Sequence, residues 1–151
     1  MGLHHFYTTD ASGELALKVG YKYTGIACYV YNTQVKGTIP VYRAYDQITF
    51  NHFYTTDRAE FDRALQPSGS YTAESVGWYM FNKDQTDIPT IALYRYYDTV
   101  SQDHLFSTDS TASDFQGYTA EGPHGYVLAD NKHCTDYIRP VPLYSWTFDH
   151  W

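Results

Sequence analysis

Cysteine, glutamate, basic residues and aliphatic side chains are all scarce in this 151-residue chain, and each scarcity removes a class of protein. Cys28 and Cys134 make neither a disulfide framework nor a metal-ligand pair, and two free thiols are the simplest reading. Lys and Arg number 10 against 17 Asp and Glu, a net charge of −7 with a pI near 5.3. Without a basic stripe to neutralise phosphates, the chain is not expected to bind nucleic acid or anionic membrane surfaces. No stretch approaches the ~18 consecutive apolar residues of a bilayer span, so no membrane insertion is expected. The opening residues lack a charged n-region and an apolar h-region, so no signal peptide is read, leaving cytoplasmic and secreted mature forms both open. Phe6 stands where a myristoylation motif wants Ser or Thr.

Leu, Ile, Val and Phe supply only 30 residues, near the ~20% level at which chains begin to look disordered. Tyrosine is the abundant residue, 17 of the aromatics. It must build much of the core, with ring bodies packed and hydroxyls reaching backbone or water.

The chain repeats itself. His4-His5-Phe6-Tyr7-Thr8-Thr9-Asp10 returns as Asn51-His52-Phe53-Tyr54-Thr55-Thr56-Asp57 and as Asp103-His104-Leu105-Phe106-Ser107-Thr108-Asp109. In phase with it run Val41-Tyr42-Arg43-Ala44-Tyr45-Asp46, Leu93-Tyr94-Arg95-Tyr96-Tyr97-Asp98 and a degraded Leu143-Tyr144-Ser145-Trp146-Thr147-Phe148. A third motif runs from Tyr71-Thr72-Ala73-Glu74 to Gly77-Trp78-Tyr79, and from Tyr118-Thr119-Ala120-Glu121 to Gly125-Tyr126. Its shorter counterpart, Tyr23-Thr24-Gly25 to Cys28-Tyr29, lacks the Glu.

The first histidine motif has no tyrosine-arginine strand before it, and the Tyr144 strand has no histidine motif after it. One domain is therefore expected, with units near residues 39–82 and 91–128 and a split unit made of 142–151 and 4–31. The C-terminal strand would pair beside the N-terminal one and close a ring of three, which removes unpaired edges. Alternation predicts strands over 39–46, 52–57, 70–75 and 77–82. A short helix is expected after Asp57, an N-cap type with Glu60 at the capping-box spacing. The expected fold is all-β, a closed pseudo-three-fold repeat of the β-trefoil type, with a three-bladed propeller or prism as the alternative.

Alternation also places Phe6, Phe53 and Leu105 on one strand face, and His5 with Tyr7, His52 with Tyr54 and His104 with Phe106 on the other. A ring that stacks beside an imidazole that donates or accepts can hold a sugar. The same histidines could instead pin a tyrosine-rich core. Arg43 and Arg95 offer a planar donor fork for a ligand, or else stack between tyrosines and pair with an Asp. Glu74 and Glu121 occupy equivalent turns, with His124 nearby and Trp78 and Tyr126 as rings; a carboxylate beside an exposed indole suits adjacent sugar hydroxyls. Asp10, Asp57 and Asp109 are read as caps of a short helix following each, not metal ligands. Unequal turns predict unequal sites, tightest around the 39–82 unit and weak or silent in the split one.

Nucleophile-elbow, zinc-protease, phosphate-loop and dinucleotide motifs are all missing, and no cofactor or metal is called for. Glutamates number only four, although 13 aspartates leave a carboxylate pair conceivable. Candidate groups recur in triplicate, which suits multivalent binding more than one asymmetric catalytic centre.

The Tyr-Arg-x-Tyr strand followed by His-Phe-Tyr-Thr-Thr and a downstream Tyr-x-x-Glu turn resembles a tandem repeat of unknown function found in fungal proteins and appended to bacterial secreted hydrolases. The resemblance covers nearly the whole chain in three copies. It implies carbohydrate binding, in the manner of three-fold fruiting-body lectins of the β-trefoil type, and supplies no catalytic residue. The expected function is a non-catalytic, multivalent lectin for glycans or glycoproteins. The alternative is a trefoil-type protease inhibitor acting through an exposed loop, at 32–38, 82–90 or 129–140. A glycan hydrolase ranks last.

Overall fold

Rings and β-branched side chains fit a pleated, half-buried surface, and the tyrosine-rich runs accordingly become strands. The structure, a computed structural model, describes residues 2–111 and 117–150. The strands are β1 (Gly2–Thr8), β2 (Lys22–Val30), β3 (Thr38–Asp46), β4 (His52–Thr55), β5 (Tyr71–Ala73), β6 (Trp78–Phe81), β7 (Ile91–Asp98), β8 (Asp103–Ser107), β9 (Thr119–Val127) and β10 (Val141–His150). A helix, α1 (Arg58–Ala64), and a 3-10 turn at Leu17–Val19 complete them.

Each long central strand lies antiparallel between a histidine-bearing strand and a returning strand. β3 pairs with β4 on one edge and with β5 and β6 on the other. β7 pairs with β8 and β9, and β10 with β1 and β2. These sets are called the middle, last and split units. Strand β10 runs alongside β1 from Gly2↔His150 to Thr8↔Tyr144, so the two ends of the chain meet as the half-units required.

The fold is all-β, and no closed barrel forms among the described residues. A β-trefoil is organised around such a barrel, so its absence bears directly on that expectation. The physical reason lies at the inner strands β1, β4 and β8, which each end a sheet and ladder to a single neighbour. They touch one another nonetheless. Tyrosine hydroxyls take the place of ladder bonds there: Tyr54 OH accepts from Tyr7 N at 2.8 Å, and Tyr7 OH accepts from Phe106 N at 2.9 Å.

The main core gathers Tyr7, Tyr54, Phe106 and Trp78 with Val41, Leu93 and Leu143. Trp78, Gly125 and Cys28 are register equivalents, opposite Val41, Leu93 and Leu143 respectively. One indole and two small residues share the centre. A side chain on Gly125 would meet Met80 at 2.6 Å, so the position has no room for a second large group. At the far end of the sheets, β2, β6 and β9 are stitched by the pairs Tyr29↔Leu128, Tyr31↔Tyr79 and Phe81↔Tyr126.

Asp57 caps α1 as expected, accepting from the backbone of Ala59 and Glu60, and the helix buries Phe61 against Phe53 and Ala44. No helix follows Asp10 directly, because Gly13 and Glu14 take left-handed φ of 74° and 57°; Asp10 caps a turn instead, accepting from Ser12 N and Oγ, and Asp109 accepts from Thr111 N and Oγ1. A helix after Asp109 would fall on 112–116, outside the described residues.

Candidate functional site

The split and middle units meet at a cavity of about 470 Å³. Phe6, Glu14, Tyr21 and Phe148 come from the split unit, and Arg43, Tyr45, Phe50, His52 and Glu74 from the middle one. The cavity exists because the apolar face of β1 meets the histidine face of β4 across the unit boundary. Phe6 packs on His52 at 4.6 Å, and Tyr45 covers the same imidazole at 4.8 Å.

Arg43 is buried and organises the floor. Its Nε donates to Glu74 at 2.8 Å, and its Nη1 and Nη2 donate to the two oxygens of Glu14 at 2.9 and 3.1 Å. The guanidinium lies over the Phe6 ring at 5.4 Å, a cation on an aromatic face. A buried arginine is tolerable only when paired and hydrogen-bonded, and two carboxylates provide that here. Both glutamates remain partly exposed at the cavity mouth.

His52 Nε2 stands 3.6 Å from Glu74, too far for a hydrogen bond, and its Nδ1 has no partner. Burial, and then the Arg43 charge, lower its pKa to about 3, so the ring is neutral. A neutral imidazole offers a ligand one donor and one acceptor. Burial disfavours the Glu14 carboxylate, but Arg43 and Thr8 outweigh it and hold its pKa below the usual range.

The boundary between the middle and last units repeats this floor. Arg95 Nε donates to Glu121 at 2.8 Å, and its Nη1 and Nη2 donate to Glu60 at 2.9 Å each. Burial, then Arg95, lower the pKa of His104 to about 3. Glu60 loses to burial but gains more from Arg95 and Thr55, and its pKa falls to about 2. The boundary between the last and split units differs. Ser145 stands in the arginine position and bonds Thr24 at 3.0 Å. His5 Nδ1 meets the Asp103 carboxylate at 2.6 Å, and Tyr118 OH donates to the same oxygen at 2.6 Å.

The family described as Domain of unknown function (DUF5648) matches residues 2–81 and again residues 49–147. The chain belongs to this family. The two matches overlap and begin 47 residues apart, the spacing of His5 and His52, so the DUF5648 pattern repeats within the chain. No curated protein and no solved structure matches it.

Of the residues expected at a site in this DUF5648 chain, Arg43, His52 and Glu74 come together at one boundary and Arg95, His104 and Glu121 at the next. The others do not join them as expected. Trp78 is 1% exposed, so it presents no indole face to a sugar. Tyr54 and Tyr7 are equally buried, and their hydroxyls are spent on backbone. Tyr126 packs with Tyr31, Phe81 and Leu128 at the far end of the sheets. The arginines pair with glutamates, not aspartates, and stack on Phe6 and Phe53 instead of tyrosines.

Register corrects the alignment of the third motif. It pairs Tyr71 with Asp46 and Tyr23 with Trp146, two places nearer the middle of the strand, so Tyr23 is not the counterpart of Tyr71; Tyr21, two residues earlier, is. Glu60 does not serve as a capping-box partner either; its carboxylate crosses to Arg95. Glu14, Phe6, Tyr21, Tyr45, Phe50 and Phe148 are pocket residues that the sequence reading misses. A usable signal exists for Glu14 and Glu60: they are half of the glutamates in the chain, and each follows a histidine motif. Among the described residues, no group of His, Cys, Asp and Glu gathers to hold a metal ion.

Proposed function

We propose that this DUF5648 protein is a non-catalytic, multivalent carbohydrate-binding protein of the lectin type, with its ligand seated in the cavity between the split and middle units. The observation that carries this reading is the cavity itself. Phe6, Tyr45 and Phe50 line it around Arg43, Glu14, Glu74 and His52. A sugar's C–H face packs on rings while its hydroxyls take directional bonds from charged and neutral groups, and this lining offers both. The resemblance to fungal tandem-repeat proteins supports the same reading.

Binding is favoured over glycan hydrolysis by the state of the carboxylates. A glycosidase needs a general acid whose pKa is raised. Glu14 and Glu60 are instead held ionised by arginine. The protease-inhibitor alternative loses ground at the loop 129–140. There the fully exposed Tyr137 and its neighbour Asp136 adopt left-handed φ of 65° and 50°, closing a tight turn between Thr135 and Ile138. An inhibitory strand that a protease pairs with is extended, not turned.

In its finer architecture we read the three sets of strands as a ring of three units, closer to a three-bladed propeller than to a trefoil. The shared pattern of one central strand between a histidine strand and a returning strand supports this, as does the bridging of β2, β6 and β9.

A glycan array followed by titration calorimetry tests the function. Tyr45→Ala and Phe50→Ala are each expected to weaken the best array sugar at least tenfold while leaving the circular dichroism spectrum unchanged. A blank array, or variants that bind as the wild type does, would sink the proposal.

A further inference from the structure

The boundary between the middle and last units copies the floor of the first cavity but changes its rim. A binding role for this second boundary rests on the carbohydrate-binding proposal for the first. Arg95 lies 5.5 Å over Phe53 as Arg43 lies 5.4 Å over Phe6. Tyr97 packs on His104 at 4.6 Å as Tyr45 packs on His52 at 4.8 Å. Tyr71 meets Phe53 at 5.8 Å as Tyr21 meets Phe6 at 6.0 Å. The Nδ1 atoms of His52 and His104 are both buried without a partner. Each feature of the floor therefore occurs twice.

The rim does not. Phe50 and Gln102 each stand two residues before the histidine, in the same left-handed conformation, at φ of 62° and 59°. One turn thus carries a ring and the other an amide. Phe148 lines the first cavity and packs on Tyr21 at 5.4 Å. It lies opposite His4, and its counterpart opposite Asn51 is Asp46. The Asp46 carboxylate is folded into its own turn, accepting from Ile48 N at 2.8 Å and Thr49 Oγ1 at 2.7 Å. Two aromatic walls of the first site are missing from the second.

We infer that the middle–last boundary is a second carbohydrate site, built on Arg95, Glu60, Glu121 and His104, which takes fully hydroxylated sugars. The first site, with Phe50 and Phe148 at its rim, favours sugars that carry a methyl group, such as acetamido or 6-deoxy sugars. Apolar rim surface rewards a methyl group that leaves water, and an amide rim does not. The last–split boundary contributes no third site of this kind, because Ser145 and Thr24 replace the arginine and glutamate.

Native mass spectrometry and calorimetry with the methyl glycosides of N-acetylglucosamine, fucose, galactose and mannose test this. Two sugars per chain are expected. The double variant Arg95→Ser with Glu121→Thr, which copies the split unit, should retain one. Gln102→Phe, at an exposed position, should raise the second site's affinity for a methyl-bearing sugar by about fourfold, the weight of one buried methylene. One sugar per chain, unaffected by the double change, overturns the second site and leaves the first standing. Two sugars that both survive it overturn the placement. If the double variant does not fold, Gln102→Phe decides, and unaltered selectivity overturns the inference. Failure of the wild type to bind any of these sugars, with a blank glycan array, overturns the carbohydrate reading itself.

Discussion

The phenol of Tyr54 grips the backbone of Tyr7 at both polar groups, accepting from its amide at 2.8 Å and donating to its carbonyl at 3.2 Å. Tyr7 does the same to Phe106, at 2.9 and 3.3 Å. Phe106 has no hydroxyl to pass on, and Arg95 Nη1 donates to the Tyr54 carbonyl at 2.9 Å instead. Inner strands that share no ladder are thus tied by side chains, which is why tyrosine holds two of the three equivalent inner positions, Tyr7 and Tyr54, with Phe106 at the third.

Tyr54→Phe keeps the ring and strands two buried backbone groups. Leaving such groups unsatisfied costs ~1–3 kcal/mol. Thermal unfolding should shift down accordingly, with sugar affinity per folded molecule unchanged; a variant as stable as the wild type would show that the hydroxyl ties are dispensable.

Trp78→Ala empties the centre, where Gly125 and Cys28 cannot compensate. The expected loss is ~3–5 kcal/mol, as for other buried aromatic truncations. Denaturant titration measures it, and tryptophan emission from Trp78 should not respond to sugar. A response that disappears in Trp78→Phe would return this residue to the site.

Gly13 sits at φ 74° beside Glu14, itself at φ 57°, with the Trp146 ring against its α-carbon. Gly13→Ala would drive a methyl group into that ring, an overpacking cost of ~1–3 kcal/mol. Because Glu14 is the next residue and holds Arg43, affinity should fall together with stability. Calorimetry showing unaltered affinity would separate Glu14 from the site.

Stability should depend on pH through the imidazoles of His52 and His104. His52 and His104 have pKa values lowered from 6.5 to about 3. Between pH 6.5 and 3 the unfolded chain therefore binds protons that the fold excludes, and stability falls as pH falls. Arg43, Glu14 and His4 face His52, and Arg95, Glu60 and His124 face His104. Glu60, lowered to about 2, adds stability that is present above pH 4.5 and lost toward pH 2. Melting temperatures at pH 7.5, 6, 5 and 4 check this. His52→Gln with His104→Gln should flatten the slope below pH 6.5; a slope unchanged by the pair would mean that other groups set it.

Local order is legible in the sequence and relations between units are not. The strands at 38–46 and 52–55 and the Asp57 cap follow from alternation and capping chemistry, which act within a few residues. Arg43 with Glu74 is also within reach, since the two share a unit. Glu14 and Glu60 arrive from the neighbouring unit, and no periodicity along the chain reports on that approach. The misplacement of Tyr23 comes from a local likeness. Tyr23-Thr24 copies the Tyr-Thr pair of Tyr71-Thr72 and Tyr118-Thr119, whereas Tyr21 keeps the spacing, seven residues before Cys28 as Tyr71 stands before Trp78 and Tyr118 before Gly125. Trp78 misleads because a repeated position can be filled unequally, one indole serving for three at the centre.

The most direct test is a nuclear magnetic resonance titration that follows the imidazole nitrogens of the seven histidines against the best sugar from the array. His52 should shift on binding, while His5, tied to Asp103 at the boundary without an arginine, should not. Shifts at His5 with His52 unmoved would contradict a sugar site between the split and middle units.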